Sequence, residues 1–359
     1  DAQQAPKVSI VADTGSTAEG GDANFTVSID QKADEDVVVT FTIGGDVDSD
    51  DYTAPNTYTV TIPAGQTSVS LDIETLDDGI YEGAEDLTVT LTGTSGADSS
   101  LNTASKEASV SVTDAQAAPK VSIVADQDSV NEGQTAGFTV SLDQIADEKV
   151  TVEFEYSGVA QDGIDFNGVA SIEVSAGQSS VDLDITTLTD GTYEGAESFT
   201  VTIKDVEGAD ATASTNNSAS VTINDAQQAP KVSIVADTGS TSEGGDANFT
   251  VSIDQKADED VVVTFTIGGD VDSDDFTAPN TYTVTIPAGQ TSVDLDIETL
   301  DDGIYEGAED LTVTLTGTSG ADSSLNMASK EASVSVTDAQ SAPKVSIVAD
   351  QDSVNEGQT

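Results

Sequence analysis

Apolar residues alternate with threonine and serine along most of the chain, and this two-residue period is that of a β-strand with one buried face. The first such run is Lys7–Ala12. A second turns Phe25, Val27 and Ile29 inward, and a third turns in Val37, Val39, Phe41 and Ile43. A fourth offers Tyr58, Val60 and Ile62, a fifth Val69, Leu71 and Ile73, a sixth Leu87, Val89 and Leu91, and a seventh Ala108, Val110 and Val112. Clusters of Gly, Pro, Asp and Asn break the pattern every ~8–12 residues, the turn spacing of an all-β sandwich. No stretch carries a helical period. Seven strands in about a hundred residues predict an immunoglobulin-like β-sandwich, and some three inward residues per strand make one modest core.

The pattern repeats. Pro-Lys-Val-Ser-Ile-Val-Ala-Asp begins at Pro6, Pro119, Pro230 and Pro343. Residues 1–135 laid over 225–359 differ at five positions only: Ala18/Ser242, Tyr52/Phe276, Ser70/Asp294, Thr103/Met327 and Ala117/Ser341. The middle copy diverges more, so the modules read type one, type two, type one. The fold class is therefore all-β, a tandem array of immunoglobulin-like seven-stranded sandwiches. The expected modules are 1–117, 118–228 and 229–341, with 342–359 as the truncated start of a fourth. Short links such as Asp114-Ala-Gln-Ala-Ala-Pro119 leave little freedom between neighbours.

Composition removes whole classes of chemistry. The 359 residues contain no His and no Cys, so a thiol nucleophile, an imidazole base and the usual zinc or haem ligands are all missing. With 67 Asp and Glu against 10 Lys and Arg, the formal charge is -57. All ten cations are lysine, so nucleic acid would meet a repulsive surface without guanidinium groups. Anionic membranes are disfavoured by the same sign, and no apolar run approaches the roughly 20 residues of a membrane helix.

The acids are not spread evenly. Glu19 lies between the first and second predicted strands, and Asp46, Asp48, Asp50 and Asp51 between the third and fourth. Asp77, Asp78, Glu82, Glu85 and Asp86 precede the sixth, and the seventh ends at Asp114. If consecutive strands are antiparallel, all four groups share one pole, where the chain passes into the next module. That gathers Glu19, Asp51, Asp77, Asp78, Glu82 and Asp114. The opposite pole holds the uncharged turn Pro63-Ala-Gly-Gln66, and the turn from Asp30 to Asp36 with acids beside Lys32. Converging carboxylates repel unless they bind protons or a cation, and calcium suits a loop-built oxygen cage better than magnesium does. A solvated acidic surface is the competing reading. The second module has Glu132, Asp165, Asp190, Glu194, Glu197 and Asp225 at matching places, with Thr189 where the first has Asp77. The third has Glu243, Asp275, Asp301, Asp302, Glu306, Glu309 and Asp338. Asp46-Val-Asp48-Ser-Asp50 opens like a helix-loop-helix calcium loop, but Asp51 stands where that loop needs Gly and Thr57 where it needs Glu. It reads as a loop adding ligands to the shared pole, or as a solvated turn.

Four strings carry a family resemblance: Ala18-Glu19-Gly20, Asp51-Tyr52, Gly65-Gln66 and Asp77-Asp78-Gly-Ile-Tyr-Glu82-Gly-Ala-Glu85, with counterparts in the other modules. They resemble the Calx-beta family, calcium-binding sandwiches of sodium-calcium exchangers, integrin beta-4 and large bacterial surface proteins. The resemblance implies Glu19, Asp51, Asp77, Asp78 and Asp114 as calcium ligands. Gly79 in place of a further aspartate, and Thr189, put the number of ions per module in question. Near-identical tandem copies, acidity and the lack of Cys and Arg are similar to the extender regions of bacterial RTX-type adhesins, although the glycine-rich nonapeptides of those proteins are absent from this sequence.

The expected function is a calcium-stiffened extender on the bacterial cell surface, holding a distal binding domain away from the cell. Its partners would be calcium ions and neighbouring modules. The alternatives are a subunit of an extracellular filament, sheath or surface layer in which identical chains pair sideways, and a calcium-sensing module. No enzymatic role, nucleic acid or membrane insertion is expected.

Overall fold

The computed structural model describes residues 4–350 together with Ser353, Glu356 and Gly357. Every regular element among them is a strand. The first module contains β1 (Lys7–Ala12), β2 (Ser16–Ala18), β3 (Asp22–Ile29), β4 (Val37–Gly45), β5 (Thr59–Ile62), β6 (Ser68–Glu74), β7 (Ala84–Ser95), β8 (Ser100–Leu101) and β9 (Glu107–Thr113). One sheet has the order β6-β3-β1-β8 and the other β2-β9-β7-β4-β5. The chain changes sheets after β1, so that β2 joins β9 in parallel while β1 stays antiparallel to β3. Seven long strands therefore form the sandwich, and β2 and β8 are short additions that the alternation did not signal.

The buried set follows the period of two. Phe25, Val27, Val37, Val39, Phe41, Leu87, Val89, Leu91 and Val110 are all essentially inaccessible, and they fill the space between the sheets. Tyr58 departs from the expectation. It precedes edge strand β5, is 40% exposed, and leans over Phe41 at the sheet rim with ring centroids 5.8 Å apart. Ile43, Val60, Val69 and Ala108 are only partly buried and pack against the core edge. Gly96, at φ +92, is dictated by crowding: a Cβ there would lie 2.1 Å from the Asp36 carbonyl oxygen.

By internal contacts the chain forms two compact units. One comprises residues 1–130, 134–187 and 198–221, the other 131–133, 188–197 and 222–359. The first unit holds the first module and the body of the second. In the second module, Phe166–Asn167 adds an edge strand beside Ser180–Thr187, and Phe166 stacks on Phe199 at 4.3 Å. The second unit holds the third module, which repeats both sheets of the first. The fourth copy of the strand motif behaves differently. Lys344–Ala349 forms no strand, and Val345 and Ile347 are 98% and 97% exposed. The rest of the expected fourth module lies largely outside the described residues.

Candidate metal centre

A buried threonine assembles the acidic pole. Thr75 continues the inward register of β6 beyond Ile73 and is 1% exposed, one of three buried polar residues among those described, with Thr187 and Thr299 at the matching positions. Its hydroxyl donates to the Gly21 carbonyl at 2.8 Å and to Ala18 at 3.3 Å, and its amide donates to Gly21 at 2.8 Å. These bonds tie the turn that carries Glu19 to the loop that carries Asp77. On the other side, the Leu76 amide donates to the Asp51 carbonyl at 2.8 Å, drawing in the β4–β5 loop.

Asp114 then fixes the loop before β7. One carboxylate oxygen accepts from the amides of Glu82 at 2.6 Å and Gly83 at 3.0 Å, and the other from Gln116 at 2.7 Å. Glu19 accepts from the Ala115 amide at 3.1 Å. Asp77 and Asp78 cap their own turn through the amides of Gly79 at 3.1 Å and Ile80 at 2.8 Å, and Asp51 accepts from the Asp48 amide. The structure thus brings two groups of acids to one pole. Carboxylate oxygens of Asp51, Glu82 and Glu85 lie within 4.8 Å of one another. Glu19, Asp77 and Asp114 surround the Ala115-Gln116 turn.

Burial pushes Glu82 up to about 8, aided by Asp51, Glu85, Asp78 and Asp147. Burial and Asp51 push Glu85 up to about 7. Glu19 is raised by burial against the lowering bond from Ala115, and then by Asp114, Asp77 and Asp78. Protons are thus retained near neutrality for want of a positive charge. A neutral oxygen stands with these acids: the Gln116 side-chain carbonyl is buried without a hydrogen-bond partner, while its amide nitrogen donates to Asp77 at 2.7 Å. Gln340 repeats this beside Asp301 at 2.5 Å. Carboxylates joined by an amide carbonyl are the donor mixture that calcium takes, so these residues fit such an ion.

The third module repeats the arrangement. Asp275, Glu306 and Glu309 form the matching cluster. Asp338 accepts from Glu306, Gly307 and Gln340 at 2.6, 2.9 and 2.8 Å. Glu243 accepts from Ala339 at 3.2 Å, and Asp301 and Asp302 cap the turn at Gly303 and Ile304. In the second module Asp165 accepts from Gln161 within its own loop at 2.6 Å. Within the second unit, Asp225 accepts from Glu194 at 2.5 Å and Gly195 at 3.0 Å, Glu132 accepts from Ala226, and Asp190 caps Thr192. Thr189 packs against Gly133, its methyl 3.0 Å from where a Cβ on that glycine would stand.

Three participants escaped the sequence analysis as ligand candidates. Glu85 was seen only as part of the acidic run, Gln116 was not singled out, and Asp147 belongs to the following module. Asp147 occupies the turn equivalent to Asp30–Asp36, which was assigned to the pole away from the acids of its own module. It faces the acids of the preceding one, and its carboxyl is raised by burial and Glu148, with Asp114 contributing. In the second unit Asp258 is raised likewise by burial and Glu259, with Asp225 contributing.

A LapA domain model matches residues 5–115 and 229–339, and a Calx-beta domain model matches residues 114–227. The two module types distinguished by the repeat thus answer to two domain models. Among solved structures, the calcium binding domain CBD12 of CALX1.1 overlaps 59% of this chain and 98% of its own at 14% identity and a TM-score of 0.27. The Escherichia coli adhesin FdeC overlaps 93% of this chain and 98% of its own at 13% identity and 0.27. The I9–I11 tandem of titin overlaps 94% and 98% at 11% and 0.20. Scores this low carry no argument of their own, and the sandwich rests on the strand order given above. No curated protein matches the chain. The LapA segments cover more than half of the sequence, and the chain belongs to the LapA domain family, as an adhesin-like repeat region in which a Calx-beta domain separates two LapA domains.

Proposed function

We propose that this repeat region is a calcium-binding extender of a bacterial cell-surface adhesin, stiffened at its module junctions and carrying a distal binding domain away from the cell. One observation carries the reading. The acidic pole of the first module lies next to the turn between Leu142 and Val150 of the second, where Asp147 adds its charge to that of Glu82, Glu85 and Asp114. A divalent cation at such a place would neutralise carboxylates from both sides of a joint, and its binding free energy would stabilise the joined arrangement. Asp51, Glu82 and Glu85 would hold one ion, and Glu19, Asp77, Asp114 and the Gln116 carbonyl offer donors for another. Asp78 lies in the same loop and supplies charge rather than a shared edge of either group. The ion contributes charge neutralisation and oxygen cross-linking only, in keeping with a structural role. The matching acids of the second and third modules extend the same proposal along the chain.

The reading is tested by small-angle scattering of the 359-residue chain in calcium and in chelator. The expected result is a longer maximum dimension and a narrower distribution of shapes in calcium, with the difference abolished by combined Asp51→Asn, Glu82→Gln and Asp114→Asn replacement. Identical profiles in the two conditions would refute it.

A further inference from the structure

Each module carries a costly feature that the acidic pole does not explain. Ala97-Asp98, Ala209-Asp210 and Ala321-Asp322 are consecutive non-glycine residues in the left-handed region, with φ of 52 and 52, 49 and 48, and 49 and 47. Such pairs are strained, and strain kept at equivalent places points to a use. In two of the three modules the use is visible. The Tyr81 hydroxyl donates to Asp210 at 3.0 Å, and the Tyr193 hydroxyl donates to Asp322 at 3.0 Å.

The backbone around each tyrosine takes part. The Tyr81 amide donates to the Ile145 carbonyl at 2.8 Å, and the Asp147 amide donates to the Tyr81 carbonyl at 3.1 Å, a parallel bridge that sets Tyr81 beside buried Ala146. Within the second unit, Thr192–Tyr193 pairs in parallel with Lys256–Ala257, and the Asp258 amide donates to the Tyr193 carbonyl at 3.1 Å. The tyrosine comes from the Asp-Gly-x-Tyr-Glu-Gly segment at the exit of one module. The socket is the alanine turn and the left-handed Ala-Asp pair of the module that follows. Tyr81 is 9% exposed in its socket, whereas Tyr305, with no module packed on it, is 44% exposed.

The first module has the same socket. Gln31-Lys-Ala-Asp-Glu-Asp36 and Thr94-Ser-Gly-Ala-Asp-Ser99 are identical in sequence to Gln255–Asp260 and Thr318–Ser323, which hold Tyr193. Ala97 and Asp98 already adopt the receiving conformation, and Lys32, Ala33, Gly96 and Asp98 line an open groove. We propose that this upstream face of the first module is a preformed docking site for the exit segment of a further type-two module, recognised by strand pairing at Ala33 and by the tyrosine hydroxyl at Asp98. Preorganisation removes the cost of ordering the socket at the moment of binding. The interaction needs no metal, so its outcome is separable from that of the calcium reading.

The chain has no cysteine, so Lys32→Cys in the full chain gives one labelling point at the groove, carrying an environment-sensitive fluorophore. The probe is a synthetic peptide of residues 188–197, Leu-Thr-Asp-Gly-Thr-Tyr-Glu-Gly-Ala-Glu, titrated to millimolar concentration in chelator. A saturable signal is expected. Replacing the peptide tyrosine by Phe, or Asp98→Asn in the chain, should each weaken binding roughly tenfold, the loss of one charge-assisted hydrogen bond. The same label at Lys256→Cys should give no saturable signal, because Tyr193 fills that socket. No saturation at Lys32→Cys, or equal binding by a peptide with Ala for Tyr, would overturn the proposal.

Discussion

Calcium binding by the first module should expel protons, in an amount that falls steeply with pH. In the ion-free protein burial and neighbouring carboxylates push Glu82 up to about 8 and Glu85 up to about 7. With these values Glu82 is ~90% and Glu85 ~50% protonated at pH 7, so a cation that requires both as carboxylates displaces on the order of 1.4 protons. At pH 9 the same sum is ~0.1. Because the two groups sit in one cluster, the number belongs to the pair rather than to either residue. The assay is calorimetric titration with calcium in two buffers of different protonation enthalpy, which yields the proton count directly. Glu82→Gln should lower the release at pH 7 by about one proton, because it removes one titrating group and relieves the repulsion on Glu85. The reasoning fails if the wild-type count is the same at pH 7 and pH 9, or if the substitution leaves it unchanged.

The same shifts fix the sign of the pH dependence of stability. Both glutamates have folded-state values above the ordinary 4.5, so without metal their contribution is fully present below about 4.5 and is lost as pH rises through about 7 to 8. Calcium should abolish that loss. Both carboxylates still face solvent in part, so the effect is screened and shrinks with added salt. Glu82→Gln removes the charge permanently. The ion-free variant should therefore resist denaturation at pH 8 better than the wild type, yet gain less from calcium.

Thr75→Val keeps the shape of the side chain and removes its hydroxyl bonds, so the first module should lose about 1 kcal/mol in denaturant titration while Thr75→Ser loses less. Calcium affinity at that pole should fall with Thr75→Val, since the turn bearing Glu19 is no longer held. Gly96→Ala should destabilise the first module by clearly more than Gly65→Ala. Both sites have positive φ, which costs alanine about 1–2 kcal/mol, but only at Gly96 does the new methyl meet a backbone oxygen, whereas nothing lies within 4 Å at Gly65. Differential scanning calorimetry of the two variants gives the order. Hydrogen exchange should separate the four identical Lys-Val-Ser-Ile-Val-Ala segments: the copies at residues 7, 120 and 231 protected, the copy at 344 exchanging at the intrinsic rate. Equal protection of all four would contradict the structure.

Much of the acidic pole was legible because antiparallel strands alternate poles, so strand counting alone places Glu19, Asp51, the Asp77–Glu85 run and Asp114 at one end. Counting within one module could not reveal Asp147. Its turn is upstream in its own sandwich and becomes part of an acidic junction only when the preceding module packs against it. Thr75 did leave a signal, a threonine two residues beyond Ile73 in the inward register, but the many outward threonines hide one that is buried. Gln116 left none, because its value lies in a carbonyl oxygen stranded by the geometry of the turn. Tyr58 was misplaced for a different reason. Alternation fixes which face a residue occupies, whereas its burial depends on what covers it, and Tyr58 stands just outside edge strand β5 and is 40% exposed.

The four copies of Lys-Val-Ser-Ile-Val-Ala show how far such patterns determine structure. The residues at 7, 120 and 231 form strands of identical burial, in which the first valine and the isoleucine are covered. At 344 the same six residues form none, and the isoleucine is 97% exposed. Intrinsic preference and hydrophobic period are equal in all four, so neither can be the cause of the difference. What differs is the partner. In the first three, the segment of the following strand runs antiparallel at Val8–Ala12, Val121–Ala125 or Val232–Ala236. For the fourth, no such strand lies among the described residues. The alternating pattern therefore specifies which face will be buried once a sheet exists, while the sheet itself is made by pairing between distant segments. That is the behaviour of β-propensity in general, which measures fit to a half-buried pleated surface rather than a backbone preference. It also means that each module must complete its own pairing before its loops can gather at one pole, so the acidic cluster is a product of the folded sandwich and not of any single loop.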